Sequence, residues 1–359
     1  MALIDVARAP EPTATFTQLA TKDRRFVGKA FLTMAVVTLL TAYLLPLGFL
    51  TVTSLKTDDQ LVTGTILPQS PEFLEFEGEQ FEIFDVPFED GTVRTLALFE
   101  PGRESSVFLD PTDTAVTVDW VGRWRTLDRS LSLDPTTENF PEAWERLDFL
   151  KLLRNTSIIA GLGMAGTVIS STIVAYGLSR FRMPFKRLIL GSLIATIIMP
   201  GFVTLVPTYA LFLRIGWVGT WLPLIVPHFF ANAYNVFLLR QFFLTIPSTL
   251  DEAAAIDGAT PFRTLVSVIL PQARGAIIAV SLFHFFFAWN DFLGPLIYLA
   301  GERELIPISV GLFDFLGLFQ TEIPLLQAGA LLSMAVPILL FLSLQRVFLG
   351  GIDLSGSIK

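Results

Sequence analysis

Six long stretches of this 359-residue chain contain no Asp, Glu, Lys or Arg: Phe31–Leu55, Asn155–Ser179, Leu188–Leu213, Ile215–Leu239, Gly275–Asn290 and Ile323–Gln345. Most are longer than the ~20 residues with which a helix crosses a bilayer core. Composition points the same way, with 52% apolar and only 16% charged residues. Soluble domains carry about a quarter charged residues. A surface built from this composition cannot be coated with charge. The chain therefore reads as an all-α polytopic membrane protein. A soluble enzyme, a disordered scaffold and a nucleic-acid binder are excluded.

The net charge of −8 divides unevenly. Residues 54–148 hold 7 basic and 21 acidic residues, a net of −14. The remainder holds 18 basic and 12 acidic, a net of +6. The acidity belongs to one hydrophilic insert. There is no cysteine, which removes disulfides, thiolate metal sites and Cys nucleophiles. The first apolar run begins only near Phe26, is about twice the length of a signal-peptide core and has no small-residue cleavage site after it, so a cleaved leader is not expected.

Cytoplasmic loops are enriched in Lys and Arg, and this orients the spans. Lys22, Arg24, Arg25 and Lys29 precede the first span and put the N-terminus inside. Arg180, Arg182, Lys186 and Arg187 mark a second cytoplasmic loop, and the hydrophilic stretch Gln241–Arg274 a third. Six spans with both ends inside satisfy every loop except one. The Lys151–Arg154 pair lies at the outer end of span two, at headgroup level. The expected segments are a tail at 1–25, a first span at 26–54, an outer insert at 55–148, five further spans over 149–349 and a tail at 350–359.

The insert reads as a small β-rich domain. Phe81–Phe88 and Thr92–Phe99 alternate in part, with Glu89-Asp90-Gly91 between them as a hairpin turn. Trp120 and Trp124 are candidate core anchors. Two roles stand open, a cover for the outer loops and a docking surface for an extracytoplasmic partner.

The most informative segment is 246–271, whose punctuation specifies two short helices. Ser248 is placed as an N-cap with Asp251 three residues on, an acidic variant of the capping box. Gly258 stands where a C′ residue belongs, Thr260 caps a second helix with Pro261 at its first position, and Pro271 ends it. Ala253 and Ala254 give the first helix a low-bulk face that another protein's groove could admit. Glu252-Ala253-Ala254, Gly258 and Leu270-Pro271 together resemble the EAA signature of ABC-importer permeases, with Val268 where the pattern has Ile. Glu138-Asn139-Phe140, Asn155-Thr156-Ser157, Met199-Pro200, Ile256-Asp257-Gly258 and Ala288–Phe292 resemble its carbohydrate-uptake, MalG-like branch. The resemblance covers about residues 26–53 and 138–359 and leaves the insert out.

That resemblance implies a type I ABC-importer permease fold of six transmembrane helices, in a bacterial or archaeal inner membrane. It implies a second homologous permease, a dimer of cytoplasmic ATPases that carries the ATP and Mg, and an extracytoplasmic solute-binding protein. Glu252, Ala253, Ala254, Gly258, Leu270 and Pro271 would couple the ATPase to the spans. The chain itself has no phosphate-binding G-x-x-x-x-G-K-[ST] loop; Gly161–Thr167 has the glycine spacing but Thr in place of Lys. It is therefore expected to be a transport subunit and not an enzyme, with no cofactor of its own.

Asp291 is the single acid expected inside a span, beside Trp289 and Asn290. Intramembrane ionisable groups face protein interior or a watery cavity. Two readings stand: a polar contact on a sugar route with Trp289 as stacking platform, or a structural hydrogen bond. Asn232 and Asn235 are similar candidates at helical spacing. His228 and His284 fall on different spans, and nothing in the sequence places them together. Pro200, Pro207, Pro223 and Pro227 should kink spans three and four. A gradient-driven transporter would want paired ionisable groups at the midplane, and a receptor would leave the helix pair unexplained.

Overall fold

A computed structural model describes residues 16–317 and 321–353, with side chains over 28–317 and 321–345. Residues 1–15 and 354–359, the larger part of the two expected tails, lie outside the described residues, as do the side chains of Lys22, Arg24, Arg25 and Arg346. The chain forms two units, residues 1–52 and 53–359. The first is dominated by one helix, α1 (Phe16–Ser54), with Pro46 inside it.

The second unit opens with α2 (Asp58–Val62), capped reciprocally by Thr57 and Gln60. The strands follow: β1 (Gln69–Pro71), β2 (Phe73–Phe76), β3 (Glu79–Pro87), β4 (Val93–Glu100), β5 (Ser105–Asp110), β6 (Asp113–Val121), β7 (Asp128–Arg129) and β8 (Leu131–Leu133). β2 to β6 make an antiparallel meander, β7 pairs with β3, and β1 pairs with β8. The β3–β4 hairpin turns where the sequence places it: Pro87 faces Val93, and Asp90 Oδ1 accepts from the Thr92 amide at 2.9 Å and hydroxyl at 2.6 Å.

Alternation sends Phe84, Val86, Leu96 and Phe108 to one face of this sheet and Ile83, Ala97 and Leu109 to the other. Trp120 meets Phe108 edge-on at 6.2 Å and donates its indole N–H to Pro87 O at 3.0 Å. Trp124 meets Phe84 at 6.0 Å. Both tryptophans are thus set against the first face. A polar neck closes the domain: Asn139 Nδ2 donates to Ser54 O and Lys56 O, each at 2.8 Å. Gln60 donates to Ser70 and to Asp134 O.

The helices come next: α3 (Asn139–Arg146), α4 (Phe149–Arg180), α5 (Lys186–Ile198), α6 (Gly201–Arg214), α7 (Leu222–Ile225) and α8 (Ala233–Thr245). They continue with α9 (Thr249–Ile256), α10 (Pro261–Thr264), α11 (Leu270–Gln272), α12 (Arg274–Trp289), α13 (Leu293–Tyr298), α14 (Ile308–Gly311) and α15 (Ile323–Asp353). α4 is the axis of the bundle and packs against both α8 and α12. Its buried face carries Ala160, Gly163, Gly166 and Ala175, small residues that let helix backbones approach.

Among the described residues four helices are long and apolar enough to cross a membrane: Gly28–Ser54, Phe149–Arg180, Leu222–Thr245 and Ile323–Gln345. Two further segments are bent pairs: α5 with α6, at 98°, and Pro261–Gln272 with α12, at 85°. The count reaches six when each bent pair is one span. The first bend, at Met199-Pro200, is far sharper than a kink, since Pro200 leaves the helix in extended conformation and caps α6 instead. The second corrects the expected end at Pro271. The helix runs on through a π-helical stretch at Leu265–Ile269 and breaks at Ala273. A π turn shifts the hydrogen-bond ladder by one residue, next to the amide that Pro271 lacks.

Lys151 and Arg154, the pair that departs from the expected charge pattern, both have local partners. Lys151 pairs with Asp148 at 3.1 Å and Glu304 at 3.2 Å, and Arg154 donates to Asn155 Oδ1. Lys151 is thus locally neutralised.

Candidate functional site

The sequence-marked residues fall into two places, the α9–α10 pair and the break between α12 and α13. In the first, α9 ends in a Schellman motif. Gly258 sits at φ +76, Ala259 N donates to Ala254 O at 2.9 Å and Gly258 N to Ala255 O at 3.0 Å. Thr260 Oγ1 accepts from Arg263 N at 3.3 Å, with Pro261 opening α10. The start of α9 corrects the expectation. Ser248 is helical and makes no side-chain cap. Asp251 is not a capping partner, because its carboxylate is engaged by Arg180 at 3.1 Å and Tyr176 Oη at 3.5 Å.

Ala253 and Ala254 do not share a face. Ala254 is 8% exposed and turned inward with Leu250, which packs on the inner core, while Glu252 and Ala253 are exposed. Consecutive helical residues point about 100° apart, so both could not face one partner. The exposed side is completed by two residues the sequence reading missed, Ile256 at 87% and Phe262 at 69% exposure. The signal was available: Ile256 lies four residues after Glu252, on the side opposite the 250–254 seam. Leu270 is half-buried and Pro271 exposed.

The second place corrects the position of Asp291. It sits in the break between α12 and α13, not inside a helix. Oδ1 accepts from Gly294 N at 3.2 Å, and its carbonyl accepts from Ser309 Oγ at 2.6 Å. Asp291 lines a cavity of about 180 Å³ with Thr156, Phe287, Tyr298, Pro307 and His228. Its neighbours are placed otherwise. Trp289 is buried against Phe285, its indole N–H on Ser333 O at 3.2 Å, so it fastens α12 to α15 and offers no open ring face. Asn290 is exposed and donates to Phe286 O at 2.8 Å. Asn232 and Asn235 do not act as a pair on one face. Asn232 is the exposed N-cap of α8, accepting from Asn235 N at 3.2 Å, and Asn235 is buried.

His228 and His284 are brought together, contrary to the sequence expectation. Their rings meet edge-to-face at 4.3 Å, and His284 Nδ1 lies 3.2 Å from Thr167 Oγ1. The cause is the 3-10 turn at Val226–Phe229, which lays His228 over α4 at Gly163. A Cβ at position 163 would stand 3.1 Å from His284 Nε2 and 3.2 Å from His228 Cδ2, so a larger residue would press both rings back by a few tenths of an ångström. Among the described residues no three His, Asp or Glu side chains converge as a metal site.

Comparison with known proteins agrees with this architecture. Residues 157–353 match the family described as binding-protein-dependent transport system inner membrane component. The chain is 34% identical over 193 residues to the osmoprotective compounds uptake permease protein GgtD of Synechocystis sp., covering 53% of this chain and 63%, under two thirds, of that protein. It is 33% identical over 223 residues to the probable ABC transporter permease protein YurM of Bacillus subtilis, covering 62% and 73% of the two chains. The sn-glycerol-3-phosphate transport system permease protein UgpE of Agrobacterium fabrum is 31% identical over 204 residues, covering 56% and 72%. In fold the chain resembles one from the crystal structure of a bacterial ABC transporter involved in alginate import, with a TM-score of 0.63 at 17% identity over 95% of this chain and all of the other. With more than half its length matched, the chain belongs to the family of binding-protein-dependent transport system inner membrane components.

Proposed function

We propose that this chain is a permease subunit of an ATP-driven importer, forming half of a translocation pathway for a carbohydrate or a related polyhydroxylated solute. It works with a second homologous permease, a dimer of cytoplasmic ATPases and an extracytoplasmic solute-binding protein. ATP and Mg belong to the ATPases, and this chain transports without being an enzyme. Both termini face the cytoplasm, the β-domain faces outward, and the 246–271 segment faces inward. The names of two relatives, for osmoprotective compounds and for sn-glycerol-3-phosphate, support a small hydroxyl-rich cargo.

The observation that carries the reading is the α9–α10 pair. It is a rigid corner, fixed by the αL glycine and the Thr260 cap, and it presents Glu252, Ala253, Ile256 and Phe262 outward. An exposed apolar patch rimmed by charge marks a protein interface. Coupling follows from its position. A partner that closes on this corner moves α9, and α9 is seated through Leu250 on the core shared by α4, α8 and α12. Displacing that core tilts the helices around the Asp291 cavity. That cavity offers a carboxylate acceptor and Tyr298 to a solute's hydroxyl groups. This assigns a polar contact on the route to Asp291 and a packing role to Trp289.

The test is to purify the detergent-solubilised chain from its native membrane and identify what comes with it by mass spectrometry. An ATPase, a second permease and a solute-binding protein are the expected companions. A chain recovered alone that moves solute in liposomes without ATP would overturn the reading in favour of a gradient-driven transporter.

A further inference from the structure

The long helix α4 is held by buried polar contacts at both of its ends. At its C-terminal end Arg180, with a side chain 11% exposed, forms an ion pair with Asp251 of α9 at 3.1 Å and donates to Ile246 O at 2.9 Å. Arg180 Nε and Asp251 Oδ2 are buried and have no hydrogen-bond partner among the described residues, so this charge contact is what compensates each of them. At the N-terminal end Asn155, fully buried, donates to Glu304 O at 2.9 Å and Ile306 O at 3.0 Å. Thr156 Oγ1 accepts from Ile308 N at 2.9 Å. The 304–308 segment so held contributes Pro307 to the wall of the Asp291 cavity, and Thr156 contributes another part of that wall. One helix of 32 residues, about 48 Å long at 1.5 Å per residue, thus connects α9 to the cavity.

We propose that Arg180 and Asp251 form the positioning contact that passes displacement of α9 into α4, and through the Asn155–Thr156 clamp into the cavity wall. The inference rests on the reading that an ATPase acts on the α9–α10 pair. Packing alone would transmit only half of such a stroke. Leu250 presses on the core when α9 is pushed inward, but that contact opens when α9 is drawn away. An ion pair whose facing atoms are buried resists separation as well, because pulling it apart leaves two charges without their partner in a site that is mostly screened from water. The Arg180 bond to Ile246 O adds a tether to the segment that leads into α9. The contact is therefore suited to return α4 as well as to advance it. Tyr176, one helical turn before Arg180, flanks the same carboxylate and limits where Asp251 can go.

This chain has no cysteine, so labels can be placed on it at chosen positions, and the complex without introduced cysteines serves as the labelling control. Spin labels on cysteines introduced at Leu150, at the start of α4, and Leu213, at the end of α6, both exposed, report the distance between these two helix ends. The complex is purified through a tag on this chain, and the distance is measured with and without ATP and vanadate. The expected result is a nucleotide-dependent shift in the parent complex, its loss in Arg180→Gln and Asp251→Asn although the ATPase still copurifies and turns over, and its return in the Arg180→Asp, Asp251→Arg exchange. A full shift in both single variants overturns the proposal. So does a loss that the exchange does not repair, which reduces the pair to a folding role. A parent complex that contains no ATPase overturns the functional reading instead, before any variant is compared.

Discussion

The α9–α10 corner and the Asp291 cavity lie at opposite ends of the argument about locality. The corner is contiguous: Ser248 to Pro271 contains its caps, its αL glycine and its exposed patch. The cavity is assembled from α4, α7, the 3-10 turn that follows it, α12, α13 and the loop before α14. A corner made of neighbours in sequence can be specified by a few punctuating residues. A cavity whose walls are 150 residues apart depends on every clamp that holds those walls. The difference predicts different failure modes, loss of coupling without loss of fold for the corner and loss of fold for the cavity.

The largest functional effect should come from Gly258→Val. At φ +76 a β-branched side chain is strained by roughly 1–3 kcal/mol, and relief requires the Schellman turn to open. The whole outward patch is then re-aimed. ATP-dependent uptake should be abolished while the chain inserts and accumulates normally. Normal uptake with this variant would break the comparison at its stronger end.

Asn155→Leu should act on the other region. The substitution preserves volume but orphans the Glu304 and Ile306 carbonyls and removes the acceptor of Arg154. An unpaired polar group costs about 1–3 kcal/mol where water is excluded, and these carbonyls are partly screened from it. Thermal unfolding of the purified protein in detergent should fall by several degrees, and uptake should fall with it. An unchanged melting curve would show that the 304–308 loop holds the cavity without this clamp.

The same contrast explains what was legible in the sequence. Uncharged length marked the apolar helices, four of them single and two bent pairs, and turn chemistry identified the β3–β4 hairpin, Gly258 and the Thr260 cap, because each is decided within a few residues. Failures came where a residue had a better partner elsewhere. Asp251 was read as a local cap and is held by Arg180, 71 positions away in sequence. At Trp289 the sequence leaves a sugar platform and a structural role both open, and the bond to Ser333, 44 positions away, favours the structural one. His228 and His284 touch because of a 3-10 turn that no periodicity announces. Ala253 and Ala254 were a different kind of error, since helical geometry alone separates their faces.

A smaller effect is expected in the β-domain from Gly122→Ala. Gly122 has φ +152, and a Cβ there would run into the six-membered ring of Trp120. Trp120 would have to leave Phe108 and Pro87 O, at a cost of roughly 1–3 kcal/mol from backbone strain alone. Hydrogen exchange of β5 and β6 amides should accelerate while α4 amides keep their protection. Equal acceleration in both would mean that the β-domain and the bundle unfold together, and the local character claimed for the domain would be lost.

The smallest effect is expected from the aspartate-led turns of the β-domain, one of which, Glu89-Asp90-Gly91, is legible in the sequence. Thr92 and Thr112 each donate hydroxyl and amide hydrogens to Asp90 and Asp110, and this holds both carboxyls below their ordinary value of 3.8. A carboxylate depressed in the folded state stabilises it above the unfolded value and loses that contribution as pH falls through the lowered one. Protection of the β3–β4 amides should therefore be level from neutral pH to about 5 and weaken as the pH falls below 3.8. In Asp90→Asn with Asp110→Asn it should start slightly lower and show less of that acid decline, so the two profiles converge at low pH. Both groups lie at the surface, so the gap at neutral pH should be slight. Profiles that stay parallel through the acid range would mean these carboxylates shape the turns without contributing charge. A turn can be read from a Gly and an Asp because its choices are made locally, and for the same reason little of the fold's stability hangs on it.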